Sequence, residues 1–149
     1  GGGVEVNQLK QRTAQLHLSN VIFLPPVPMS EVGTLLYAAD ALLVHLRKDP
    51  LFEITIPSKT QAYMAIGKPL LMAVDGDAAN LVTQAGGGVV AESENGFALA
   101  STAEALQNLS LTARQVMGAK AQTYYREHLA LAVGVSQFGK IFNTLGRKK

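Results

Sequence analysis

The sequence predicts an α/β fold, a Rossmann-like three-layer α/β/α domain around a parallel sheet. Short, fully apolar runs alternate with stretches whose apolar residues recur at helical spacing, and the turns between them are only a few residues long. A parallel sheet covered on both faces reads as continuous apolar strands, and short β-α-β connections imply right-handed crossovers. Glycine and proline fall at the ends of these runs rather than inside them, which marks the boundaries.

In chain order, Val6, Leu9, Thr13 and Leu16 predict a helix over about Val4 to Leu18. Val21-Ile22-Phe23-Leu24 is the first predicted strand, and the prolines of Pro25-Pro26-Val27-Pro28 stiffen the loop after it. Ser30 is a candidate cap for a helix whose Val32, Leu35, Leu36 and Ala39 form one buried face. Ala41 to Leu46 is a second strand, and Arg47 to Ile56 reads as a longer loop. Loops at the carboxyl ends of parallel strands are where open α/β sheets bind ligands.

That loop leads into Pro57-Ser58-Lys59-Thr60-Gln61-Ala62-Tyr63-Met64-Ala65-Ile66-Gly67-Lys68-Pro69. Ser58 and Gln61 have the spacing of a capping box, and Gly67 suits a C-terminal stop. The helix start offers free N–H groups, the positive end of the dipole, a hydroxyl and the Lys59 ammonium, the ingredients of a phosphate site. Leu70 to Val74 is the next strand. Asp75-Gly76-Asp77 turns into a helix with Ala78, Leu81, Val82 and Ala85 inward and Asp77 at its cap. Gly86-Gly87-Gly88 stops that helix before the strand Val89-Val90-Ala91. Capping-box spacings at Ser101/Glu104 and Thr112/Gln115 open further helices, the second reaching about His128. A last helix over Ala132 to Leu145 carries Val135, Phe138, Phe142 and Leu145 on one stripe, expected to remain partly exposed.

The 149 residues, 48% apolar and 16% charged, suit one well-buried domain. A net charge of +2, with Arg147-Lys148-Lys149 at the end, gives no basic face for nucleic acid. The absence of cysteine excludes disulfides and thiolate chemistry and fits a reducing compartment. No apolar run approaches the ~20 residues that span a bilayer. His17, His45 and His128 lack metal-ligand spacing, and neither a P-loop nor a Gly-x-Gly-x-x-Gly after a strand is present. Gly1-Gly2-Gly3 runs straight into a helical pattern without the strand that should precede such a turn. The chain is therefore expected to be one domain, residues 1–149, cut from a longer protein.

Four segments in order resemble the C-terminal half of a retaining GT-B-fold glycosyltransferase of the large group 1 family (family 4). They are Asn20 to Pro28, Leu36-Tyr37-Ala38-Ala39-Asp40-Ala41, Ile56-Pro57-Ser58-Lys59 through Gly67-Lys68-Pro69, and Val74 to Ala79. The Pro-Ser-Lys form is similar to bacterial enzymes of capsule, O-antigen and exopolysaccharide assembly. The resemblance implies a donor-binding domain for a nucleotide-diphosphate sugar, a UDP-sugar, working without a metal or other cofactor. Its glycan or lipid-linked acceptor would sit on an N-terminal domain, so this chain alone is expected to lack transferase activity. It further implies a cytoplasmic enzyme at the inner face of the membrane, in peripheral contact with it. By position, Ser58, Lys59 and Thr60 would hold the diphosphate, and Pro26, Val27 and Met29 would flank the uracil. Glu53, the candidate catalytic carboxylate, and Thr55 would face the donor sugar or ribose. Where many members carry a second glutamate this sequence has Ala62, with Gln61 beside it as the substitute. The other readings are a non-catalytic Rossmann-like module, such as a receiver, and a GT-B-fold sugar-nucleotide epimerase. Asp40, Asp49 and Asp75 lack the spacing of a receiver's acidic pocket, and nothing supplies an epimerase's acid and base.

Overall fold

A computed structural model describes residues 2–146. It falls into two compact units, 1–35 and 36–149, with the boundary inside a helix. The first unit holds α1 (Val6–Gln15) and most of α2 (Met29–Ala38). None of its described residues is buried. Val21 to Leu24 is not a strand, and Ile22 is 79% exposed. An apolar run becomes a strand only where a ladder partner meets it, and the described ladders begin at Leu42. Leu35 is likewise 42% exposed, so the expected buried face of α2 is not formed. Ser30 lies inside that helix rather than capping it.

The second unit is the Rossmann-like α/β body. Its parallel sheet runs β1 (Leu42–His45), β2 (Leu70–Ala73), β3 (Gly88–Val90) in that order. Register pairs Val44 with Met72 and Met72 with Val90. The three strands fall where the apolar runs predict: β1 and β2 are shorter by two residues and one, and β3 has the expected length but starts one residue earlier, at Gly88. The predicted total of about four is reduced by the loss of Val21 to Leu24.

Alternation along β2 separates its two faces. Leu70 and Met72 are fully buried in a cluster with Val44, Met64, Val74, Ala78, Val82 and Ala121. That cluster is supplied by α4 (Ser58–Ile66), α5 (Asp77–Ala85) and α7 (Leu111–Tyr124). On the other face Leu71 lines a cavity of about 460 Å³ with Ala103 and Leu106 of α6 (Gly96–Asn108). Helices thus flank the sheet on both sides.

Helix starts depart from the capping-box readings. Asn95 caps α6, accepting from the Ala98 amide at 3.0 Å, so Ser101 is an interior residue. Ser110 caps α7, accepting from Ala113 at 3.1 Å, which displaces Thr112. Asp77 is the first residue of α5, and Gly76 occupies the cap. A cap stands just before the first turn, and in each case a residue upstream of the expected one holds that place: six residues earlier for α6, two for α7 and one for α5. The stops are as expected: Gly67 and Gly86 end α4 and α5 with φ of +79° and +61°.

Close contact between α4 and α7 fixes the helical layer. A Cβ on Gly118 would lie 2.2 Å from the Gly67 carbonyl oxygen, and Gln122 donates to the Ala65 carbonyl at 2.9 Å. After α7 the chain continues as a π-helical turn, Tyr125–Leu129, and then α8 (Leu131–Gly146). Phe138 and Phe142 stack at 6.4 Å on α8 and are 62% and 67% exposed, as the stripe predicts. No described helix is long and apolar enough to cross a membrane.

Gly118→Ala should lower stability by about 1–3 kcal/mol, because backbone rather than a flexible side chain obstructs the new methyl. Gly139→Ala on α8, where nothing lies within 4 Å, should gain up to about 1 kcal/mol of helix propensity. Urea denaturation of both variants checks the contrast.

Candidate functional site

The predicted loop after β1 is partly helical. Asp49 caps a single turn, α3 (Pro50–Glu53), accepting from the Leu51 amide at 2.9 Å, with Pro50 pre-set at the first position. Thr55 folds back on this turn, its hydroxyl donating to the Leu51 carbonyl. Glu53 is exposed at the end of α3, and Ile54 after it is 74% exposed.

From there Pro57 leads into α4. Pro57 itself is the cap, with φ −58° and ψ 140°, and no side chain bonds the helix start. The Ser58/Gln61 capping box is therefore not made, since Ser58 is already helical. The Thr60 amide donates to the Pro57 carbonyl at 2.9 Å. The amides of Ser58 and Lys59 precede the first intrahelical acceptor and point out of the helix end. Both side chains are exposed. Thr60 differs, being fully buried with its hydroxyl lacking any partner. Gln61 is half-buried.

Glu53, Thr55, Ser58, Lys59, Thr60 and Gln61 thus share the segment of the second unit that links α3 to the first turn of α4. Pro26, Val27 and Met29 belong to the first unit, with Val27 half-buried and Met29 86% exposed.

A second set of residues meets at the carboxyl ends, of which the sequence pointed only to Asp75, as a turn residue and in the receiver reading. Lys48, after β1, donates to Glu92, after β3, at 3.3 Å. Asn95 donates to the other oxygen of Glu92 at 2.8 Å while capping α6. Ser93, only 2% exposed, donates to Asp75 after β2 at 2.5 Å. Beside them a hollow of about 510 Å³ opens between His45, Arg47, Phe52, Asn95 and Leu99. The Asn95 amide, and then the Lys48 ammonium, hold the Glu92 carboxyl below its ordinary value of 4.5. Lys48 is held above its ordinary 10.5, chiefly by the Glu92 hydrogen bond and charge, with Asp75 adding. Besides Asp75 in its Asp-Gly turn, Asn95 carried a sequence signal, as an Asn-Gly pair before a helical run.

The arrangement belongs to a class of fold, the Rossmann-like α/β fold built on a parallel sheet. The particular similarity is to the structure of sucrose-phosphate synthase (tll1590) from Thermosynechococcus elongatus. Its TM-score is 0.80 at 16% identity, covering 99% of this chain and 36% of that one. No family model and no curated protein matches the sequence.

Two outcomes follow from the geometry. Glu92 contributes stability above its unfolded pKa, lost as pH falls through its lower folded value; Lys48 contributes below 10.5, lost as pH rises through its higher one. NMR titration of the Glu92 carboxyl carbon should give a midpoint below 4.5, moving back upward in Lys48→Ala and in Asn95→Ala. Thr60→Val keeps the shape and removes an orphaned hydroxyl, so stability should rise by up to about 1 kcal/mol in urea unfolding.

Proposed function

We propose that this chain is the donor-binding domain of a retaining, metal-independent glycosyltransferase that uses a UDP-sugar in assembling a bacterial surface polysaccharide. The observation that carries the reading is the first turn of α4. It is a helix start with no side-chain cap, exposing Ser58 and Lys59. The fold in which it sits is shared with a sucrose-phosphate synthase.

Chemically, that turn suits a diphosphate. The outward amides of Ser58 and Lys59 and the helix dipole meet phosphate oxygens, while the Ser58 hydroxyl and Lys59 ammonium add donors. As the bond from the sugar's anomeric carbon to the diphosphate breaks, negative charge builds on the departing oxygen. A positive charge already in place stabilises it without reorganisation. Glu53 and Thr55, on the adjoining segment, are proposed to face the sugar or ribose, and Gln61 adds an amide near the place of the missing carboxylate at Ala62. Thr60, whose role at the diphosphate rests on the resemblance, has its hydroxyl buried and without a partner. For Pro26, Val27 and Met29 the role beside the uracil rests on the resemblance alone. The acceptor and membrane surface are assigned to a domain that this chain does not contain.

Titration of the chain with UDP and GDP, followed by NMR or thermal shift, tests the reading. UDP should bind. Charge-assisted hydrogen bonds contribute about 1.5–3 kcal/mol, so Lys59→Ala should weaken it roughly tenfold to a hundredfold. Stability should change by less than about 0.5 kcal/mol in Lys59→Ala and also in Ser58→Ala, since Ser58 is not the cap. Unchanged UDP affinity in Lys59→Ala refutes the phosphate assignment, and turnover of any donor by this chain alone refutes the two-domain scheme.

A further inference from the structure

The three loops at the carboxyl ends of the sheet are joined in a closed ring. The β1 loop reaches the β3 loop through Lys48 and Glu92. The β3 loop reaches the β2 loop through the hydrogen bond from Ser93 to Asp75. The β2 loop returns to the β1 loop at Gly76, where a Cβ would stand 2.0 Å from the Glu53 carbonyl oxygen and 2.5 Å from its Cα. Gly76 has φ +77° and ψ −145°, a backbone state that side chains rarely adopt. Two independent constraints, conformation and contact, thus demand glycine at this one position.

We infer that Asp75, Gly76 and Ser93 are positioning residues that hold the segment Glu53–Thr55 at the mouth of the donor site. The inference rests on the proposed donor role of that segment. A four-residue helix cannot fix its own place, because one turn repays too little of its ordering cost. Asp49 and Thr55 shape the turn from within, by its cap and by the bond back to Leu51. Neither anchors it to the sheet. The anchor is the backbone contact of Glu53 on Gly76, and the attitude of Gly76 follows from Asp75 beside it. Asp75 is in turn held by a serine hydroxyl that is almost wholly buried. Lys48 restrains the opposite end of the same loop through an exposed pair. The ligand-facing groups therefore depend on three residues that need touch no ligand.

The test uses the isotope-labelled chain with UDP as the probe. In Ser93→Ala the amide resonances of Phe52 to Thr55 should shift before any ligand is added. UDP affinity at a temperature well below melting should then fall roughly tenfold, since displacements of about 1 Å are costly at such sites. Ser93→Thr, which keeps the hydroxyl, and Asp75→Asn, which keeps an acceptor, should restore both readouts. Gly76→Ala should show the larger version of the same change; if it fails to fold, the serine and aspartate variants decide. Unmoved Phe52 to Thr55 resonances in folded Ser93→Ala overturn the inference. So does a variant that only melts earlier while binding UDP normally. Failure of the unaltered chain to bind UDP, with the resonance shifts present, overturns the donor reading and upholds the anchoring of Glu53.

Discussion

The central strand β2 is hydrogen-bonded on both sides, to β1 and to β3, and every loop at the carboxyl edge of the sheet takes its position from that double ladder. Leu70 and Met72 are fully buried under α4, α5 and α7, so a slip of one residue would turn them to the opposite face. Such a slip would bury the wrong side chains along the whole strand. With the register held, the loops after β1, β2 and β3 emerge at one edge, close enough for Lys48 to reach Glu92 and Ser93 to reach Asp75. The chemistry proposed at the start of α4 depends on this order.

Much of the sheet was legible in the sequence because each strand is an unbroken apolar run closed off by turn residues, although only β2 is covered on both faces and Leu43 of β1 is 43% exposed. The same mark misled at Val21 to Leu24, where the run exists and no described ladder takes it up. A strand is a relation between two segments, and composition describes only one. Helix stops were readable because a left-handed terminal residue strongly favours glycine, as at Gly67 and Gly86. Helix starts were less so. Several residues can serve as a cap, and the Ser-x-x-Gln and Ser-x-x-Glu spacings also occur by chance inside helices. Pro57, Asn95 and Ser110 won by lying just before the first turn. The signal for α3 was present in Asp49-Pro50 and was absorbed into the reading of a loop.

The candidate site divides along similar lines. Ser58 and Lys59 stand exposed at a helix start, as the local pattern suggests. Thr60, one residue further on, has rotated into the core, which follows from helical geometry once the first helical residue is known. The contact between Gly76 and Glu53 had no local trace, since it depends on how two loops meet over the end of β2. Similarity to the synthase structure at only 16% identity fits this division. Patterns of burial persist through wide sequence change, whereas exposed side chains are free to drift.

The ring of loops is closed by links of unequal hardness. Ser93 is buried and its bond to the half-buried Asp75 is shielded on one side, so dissolved ions weaken it less. Lys48 and Glu92 are about half exposed, and their attraction weakens as counterions crowd in, the screening length falling to about 10 Å near 0.1 M salt. The segment from Arg47 to Thr55 is consequently clamped at its Glu53 end and sprung at its Lys48 end. Raising ionic strength slackens the spring and leaves the clamp, so the Lys48 end of the loop is eased while the Glu53 end keeps its place.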